Sequence, residues 1–264
     1  MNRTPKLTRP LGIAFFSCGI LADMLLFALL SWAGLEAYFY FDYMPAEKAL
    51  TTLRCPFVLT SHESGMVTVT YSNPSRLTLA PQVQTEISSP ELYRTVNTMP
   101  SFAPGETKEL QWTITSQDVV FGHLILAEVY VSPVYDTPDR EGRCGTLWVD
   151  LPMLTGSELF AGVLTASLLF MALGWGLWIS GNRPIRGGRP EATRAMLALT
   201  SIVLLGTIAG VLGWWLLGLV CLVLTLLLIL STSATLSSGG SRPIAGTSLS
   251  WEGRTPDDAH ASDG

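Results

Sequence analysis

LGIAFFSCGILADMLLFALLSW, residues 11–32, is the stretch on which the fold turns. A bilayer core about 30 Å thick takes about 20 apolar residues of helix at 1.5 Å each. Residues 11–32 meet that length with one charged residue, Asp23. Pro10 precedes them, a residue suited to a first helical turn. The run reads as an uncleaved membrane anchor. It is too long for the apolar part of a signal peptide, and no small-x-small cleavage pattern follows at a suitable distance. Phe15-Phe16-Ser17-Cys18 loosely has the form of a lipidation box, but only Leu11–Ala14 stand before it and the apolar run continues far beyond Cys18. The aromatic-rich run Tyr38–Tyr43 sits where an interfacial belt is expected, so the first helix with its extension is read as 11–41.

The same character returns late in the chain. Leu159–Ile179 forms a second apolar run, with Trp175 and Trp178 near its end, and predicts a helix over 158–180. Ala195–Leu230 is 36 residues long, roughly 54 Å as one helix and nearly twice a bilayer's thickness. It reads better as two spans, 193–212 and 213–236, turning around Gly213-Trp214-Trp215. Mean hydropathy is +0.37 and only 14% of the 264 residues are charged, low for a water-soluble chain.

Arginine placement sets the expected orientation, because loops rich in Lys and Arg stay in the cytoplasm. Arg3, Lys6 and Arg9 precede the first span, and Arg183, Arg186, Arg189 and Arg194 fall around the loop 181–192. Four spans put both clusters on one side. The expectation is a multi-pass plasma-membrane protein with both termini cytoplasmic, a tail over 237–264, and residues 42–157 outside. The tail is rich in Ser, Gly, Pro and Asp, and reads as disordered. Its Leu249-Ser250-Trp251-Glu252 is a candidate docking motif.

Residues 42–157 change pattern from continuous to alternating. Met66–Tyr71 and Val83–Ile87 alternate as half-buried strands, and Ser72-Asn73-Pro74-Ser75 is a turn cluster. Pro104-Gly105-Glu106 turns into Leu110–Ile114, with Trp112 expected to point inward. Leu124–Val131 is apolar enough for a central strand, and Phe57–Leu59 and Leu147–Val149 read as edge or closing strands. Short strands punctuated by Pro and Gly predict a β-sandwich. The fold class expected is α+β: four transmembrane helices with an all-β, immunoglobulin-like sandwich inserted between helices 1 and 2.

Of four cysteines, Cys18 and Cys221 fall within spans and read as packing residues. Cys55 and Cys144 bracket the β-rich region, near its first and last strands. In an oxidising compartment they are expected to pair and pin its two ends together.

The strand spacing is similar in general pattern to immunoglobulin-like and fibronectin-like surface modules, over about a hundred residues. The antibody-type central Cys pair around a Trp is not present, since these cysteines lie at the ends. Four spans with a large, disulfide-bearing first outer loop also resemble the layout of claudin-type proteins, whose Trp-Gly-Leu-Trp signature and closely spaced cysteine pair do not occur within residues 42–157. Both are likenesses of fold, which do not carry function.

The net charge of −5 argues against nucleic acid as a partner. Residues 35–157 hold fourteen acidic against seven basic side chains, an acidic surface suited to solubility or to a basic partner. Histidine is limited to His62, His123 and His260. His62-Glu63 does not extend to a zinc-protease motif, and neither a Gly-x-Ser-x-Gly elbow nor a phosphate-binding glycine loop occurs. The reading is therefore non-enzymatic, with no cofactor. Asp136, Asp139 and Glu141 are candidate calcium ligands, for which Arg140 and Arg143 would compete.

Asp23 is the sharpest single residue. About a dozen residues into the first span, it lies near the middle of the bilayer, where an ionisable group must face protein or water. Ser167, Thr165, Thr200, Ser201 and Thr207 are its candidate hydrogen-bond partners. Two roles are open: a contact within the bundle or an assembly, which is the preferred reading, and a proton or ion relay. Gly206 and Gly210 form a Gly-x-x-x-Gly face, and Gly162 with Ala166 a small-x-x-x-small pair, both expected to pack helices within the bundle. The function expected is that of a membrane protein, in contact with lipid, whose outer sandwich binds or positions a protein partner as a subunit or accessory of a larger assembly. The alternative is a small transporter, channel or signalling component using Asp23.

Overall fold

The computed structural model describes residues 8–41, 46–181 and 189–238. Arg3, Lys6, Tyr43, Arg183, Arg186 and the tail with Trp251 and His260 lie outside the described residues. The chain is a mixed helix-and-sheet structure. Helix α1 runs Thr8–Tyr40, α2 Gly156–Gly181, α3 Arg189–Val211 and α4 Trp215–Ser238. Three helices, over Pro10–Tyr40, Gly156–Gly181 and Thr193–Val211, are long and apolar enough to cross a membrane, and a shorter apolar helix covers Trp215–Ser231. This is consistent with a membrane protein. Between α3 and α4 the chain turns at Gly213, whose φ of +74° suits a residue without a Cβ.

Helix α1 lies at the centre, in contact with α2, α3 and α4. It does not end where the apolar run ends. Its 33 residues continue unbroken to Tyr40, about 50 Å at 1.5 Å each. The aromatic run expected as an interfacial belt is thus helical through Tyr40, and its Tyr38, Tyr40 and Phe41 have ring partners while Phe39 stays exposed. Tyr38 lies 5.7 Å from the Trp215 ring, Tyr40 5.9 Å from Phe121, and Phe41 6.2 Å from Tyr93.

The strands are β1 Lys48–Ala49, β2 Leu53–Arg54, β3 Val58–Thr60, β4 Gly65–Ser72, β5 Val83–Ser89, β6 Leu92–Thr98, β7 Thr107–Ile114, β8 Leu124–Val131 and β9 Arg140–Val149. One sheet has the order β1-β9-β8-β5-β6 with β3 also on β9, and the other β2-β4-β7; both are open. Most pairs are antiparallel, but β1 and β3 run parallel to β9. The entering chain therefore travels beside the leaving chain, crossing to the smaller sheet at β2 on the way.

Val67, Val69, Tyr71, Trp112 and Ile114 from the smaller sheet share one core with Val83, Ile87, Ile125, Ala127 and Val129 from the larger. The alternation read in β4 is the alternation of burial observed there. β8 is buried along nearly its whole length, because the larger sheet is covered twice. Its second face packs Leu124 and Leu126 against Ala33 and Ala37 of α1 and Phe41 just beyond its end. Strand β9 starts at Arg140, well before the Leu147–Val149 segment expected, so Glu141 belongs to a strand and not to an acidic loop.

Candidate functional site

The chemistry of this chain concentrates where helices meet sheet. Small residues allow the approach. A Cβ on Gly145 would stand 2.1 Å from the carbonyl oxygen of Ala33, and one on Gly156 2.0 Å from that of Val58. Only glycine lets these backbones meet. The start of α2 is then fixed by charge and capping. Thr155 and Glu158 form a reciprocal box, Thr155 N donating to Glu158 Oε2 at 2.9 Å and Glu158 N to Thr155 Oγ1 at 3.3 Å. Glu63 Oε1 accepts from Gly156 N at 2.6 Å and Thr60 N at 2.8 Å. That gives the Glu of His62-Glu63 a positioning role.

At the other junction Arg143 reaches from β9 to α1. Its guanidinium donates to the Tyr38 carbonyl at 2.7 Å and lies 5.4 Å from the Tyr38 ring centroid. It also pairs with Glu128 at 2.9 Å and with Glu141 at 2.6 Å. One cation thus serves two carboxylates. Burial pushes the Glu128 carboxyl up to about 7 against the pull of Arg143, and nearby Glu141 adds to the rise. Nothing in the sequence marks this cluster, because its members lie on two strands and a helix.

Cys55 and Cys144 form a disulfide with Cα atoms 6.1 Å apart, an ordinary span for such a bond. It ties the segment after β2 to β9 and so closes the domain where both connections to the helices begin.

Asp23 is fully buried among the helices. Of the five hydroxyls considered, Thr207 is the one it receives a hydrogen bond from, at 3.0 Å to Oδ1. Its other oxygen, Oδ2, meets no donor among the described residues. Ser167 donates to the Gly19 carbonyl at 3.1 Å and Thr200 to that of Met196 at 2.9 Å.

Two groups of expectations need correcting. Gly206 and Gly210 do face the bundle, Gly206 against Phe27 and Cys221, Gly210 against Leu30. Gly162 and Ala166, however, lie on an exposed face of α2, and a Cβ on Gly162 would meet nothing within 4 Å. The closest α1–α2 approach uses Gly12, Gly19 and Gly174 instead. A Cβ on Gly19 would stand 2.7 Å from the Ser167 carbonyl oxygen and one on Gly174 2.5 Å from Phe16 N. The seven-residue step from Gly12 to Gly19 was the signal available for it. Cys18 also faces outward, whereas Cys221 is buried. As for Asp136, Asp139 and Glu141, no three His, Cys, Asp or Glu side chains converge to hold a metal among the described residues. Asp139 is engaged by Glu47 N at 2.9 Å and by the Tyr130 hydroxyl at 3.1 Å, and Glu141 by Arg143. These local bonds answer the carboxylates' charge.

No family model and no characterised protein matches the chain in sequence. Partial likenesses exist among solved structures. They include a Paenibacillus cycloisomaltooligosaccharide glucanotransferase in complex with cycloisomaltoheptaose, with a TM-score of 0.32, 17% identity, and coverage of 42% of this chain and 15% of that one. The CARDB domain of a Pyrococcus furiosus protein in complex with di-metal ions gives 0.29 and 13%, covering 38% and 90%. A Listeria innocua β-glucosidase in complex with glucose gives 0.23 and 18%, covering 36% and 15%. At such scores none of them bears on what this chain does.

Proposed function

We propose that this chain is a non-enzymatic plasma-membrane protein of four spans, with an outer immunoglobulin-like sandwich that binds or positions a protein partner as an accessory of a membrane assembly. The observation that carries the reading is the manner of attachment. Helix α1 passes from the bundle onto the larger sheet without a break, and Gly145 meets Ala33 backbone to backbone. A tether would serve to let a domain roam, whereas this clamp fixes its height and angle. The surface assigned to the partner is the apolar rim of a hollow of about 440 Å³ beside Tyr40, where Leu92 and Phe121 are exposed. Both hold positive φ, +134° and +53°, which bulky residues rarely adopt and which supports a use for the side chains so presented.

The test is a photo-crosslinker at position 121 of the full chain in native membranes, with position 66 on the far sheet as control. One discrete adduct from 121 and none from 66 is expected. Equal labelling from both, or none from either, would overturn the reading. The rival role for Asp23, a proton or ion relay, is favoured only by the unengaged Oδ2.

A further inference from the structure

A cleft of about 470 Å³ opens where the β-domain, α1 and the α3–α4 turn meet. That volume lies in the range of small-molecule pockets, about 300–1,000 Å³. Its floor is apolar, with Leu30 and Gly34 of α1 facing Leu212 and Trp215. Its lip is basic. Lys48 and Arg54 are exposed there, and neither has an ion-pair partner among the described residues. The third cation lining it, Arg143, is already answered by Glu128 and Glu141.

Two further observations bear on the occupant. The stretch from Leu35 to Ser157 is acidic by seven charges, so a basic lip on its helix-facing side runs against the rest of its surface. Ser31, only 6% exposed, lies in the wall, and its Oγ meets no partner among the described residues. Trp214 and Trp215 mark the level at which indoles sit in a bilayer's interface, and an apolar slot beneath a cationic lip at that level matches an amphiphile with an anionic head.

We propose that this cleft binds an anionic phospholipid of the adjoining leaflet, its phosphate held by Lys48 and Arg54 and an acyl chain lying against Leu30, Gly34 and Trp215. The site takes from the proposed function only that the helices lie in lipid. It assigns the clamp a second role, since a lipid wedged there bridges domain and bundle.

The experiment uses the full chain reconstituted into vesicles of phosphatidylcholine with or without phosphatidylglycerol. It is then extracted in mild detergent and weighed intact by native mass spectrometry. One phosphatidylglycerol per chain is expected to survive extraction, and phosphatidylcholine is not. K48E/R54E is expected to weaken retention at least thirtyfold, about thirtyfold being the loss of two cations at about 1 kcal/mol each near a lipid surface. K48Q/R54Q keeps the test open should the charge reversal misfold, with protection of Cys55 and Cys144 from thiol reagents as the folding check. Arg76→Glu, outside the cleft, is expected to leave retention unchanged. Equal retention of both lipids, undiminished retention in the double variants, or a matching loss in R76E would overturn the site while leaving the anchored-scaffold reading standing. A chain that fails to float with the vesicles would overturn both.

Discussion

Gly145 of β9 and Ala33 of α1 touch main chain to main chain, with 2.1 Å between the place of a Cβ on one and the carbonyl oxygen of the other. No side-chain rotamer relieves a clash of that kind. G145A must push helix and sheet apart and with them the Arg143–Tyr38 hydrogen bond. Overpacking of a fitted interior costs about 1–3 kcal/mol, and this substitution is expected at the upper end. Thermal unfolding of the full chain in detergent reads it. An unchanged melting temperature would remove the helix–sheet contact from the account.

Loss of the Cys55–Cys144 bond releases a loop of 89 residues. In the chain-entropy picture, closing a loop that long is worth about 4–5 kcal/mol, and removing a native bond costs about 2–5 kcal/mol in practice. C55S and C144S are each expected to fall in that range by denaturant titration. Each should also leave one thiol newly open to labelling. A single variant as stable as the parent would show that the strand pairing of β9 needs no staple.

Much of this architecture was readable because the signals are local. The long helices announce themselves by length and hydropathy, β4 by alternation, and β8 by an apolar run broken only by Glu128, which reflects cover on both faces. Thr107–Lys108, the opening of β7, and the exposed edge strand β6 show little contrast between faces and carry no such signal. Strand β9 was half hidden for another reason. Its Arg-Glu-Gly-Arg-Cys-Gly opening lacks alternation because one face carries a buried ion cluster and Gly145, which receives α1, while Gly142 packs against Leu50 and Leu53. The continuation of α1 to Tyr40 depends on contacts with residues about a hundred positions away, which periodicity does not register.

Glu128 predicts a pH dependence with a definite sign. Its carboxyl titrates near 7 in the folded chain against 4.5 as its ordinary value. Between those values the folded state holds a proton that the unfolded state has lost. The contribution of Glu128 to stability is therefore full below about 4.5, falls as pH rises to about 7, and is lost above. Arg143 shares the burial and the site keeps some access to solvent, so the fall is expected to be on the order of 1–2 kcal/mol. Unfolding curves at pH 5 and pH 8 measure it, and E128Q should flatten that part of the difference. A difference unchanged in E128Q would assign the dependence to another group.

The glycines of α1 and α2 separate into two kinds. Gly19 faces the Ser167 carbonyl at contact distance and Gly162 faces open space. G19L is expected to break the α1–α2 contact and cost several kcal/mol, beyond the usual ~1–3 kcal/mol of overpacking because backbone must move. G162L should be neutral or stabilising by about 0.5–1 kcal/mol, since it removes a residue costly to order in a helix. Reversible unfolding in mixed micelles distinguishes them. A reversed order would place the bundle's seam on the other face of α2.

Thr207 donates from one hydroxyl toward both Asp23 Oδ1, at 3.0 Å, and the Val203 carbonyl, at 3.1 Å. If Asp23 serves the bundle, its worth is that of an interhelical hydrogen bond, about 0.6 kcal/mol on average and about 1.7 at most. A double-mutant cycle of D23A and T207A is expected to give a coupling in that range, and D23N should preserve both fold and bilayer impermeability. If Asp23 serves a pathway instead, vesicles bearing the parent chain would leak protons or cations and D23N would stop the leak. The burial favours the first outcome, because a relay needs water on each side of the carboxyl and Asp23 has no exposed surface among the described residues and α3 directly against it.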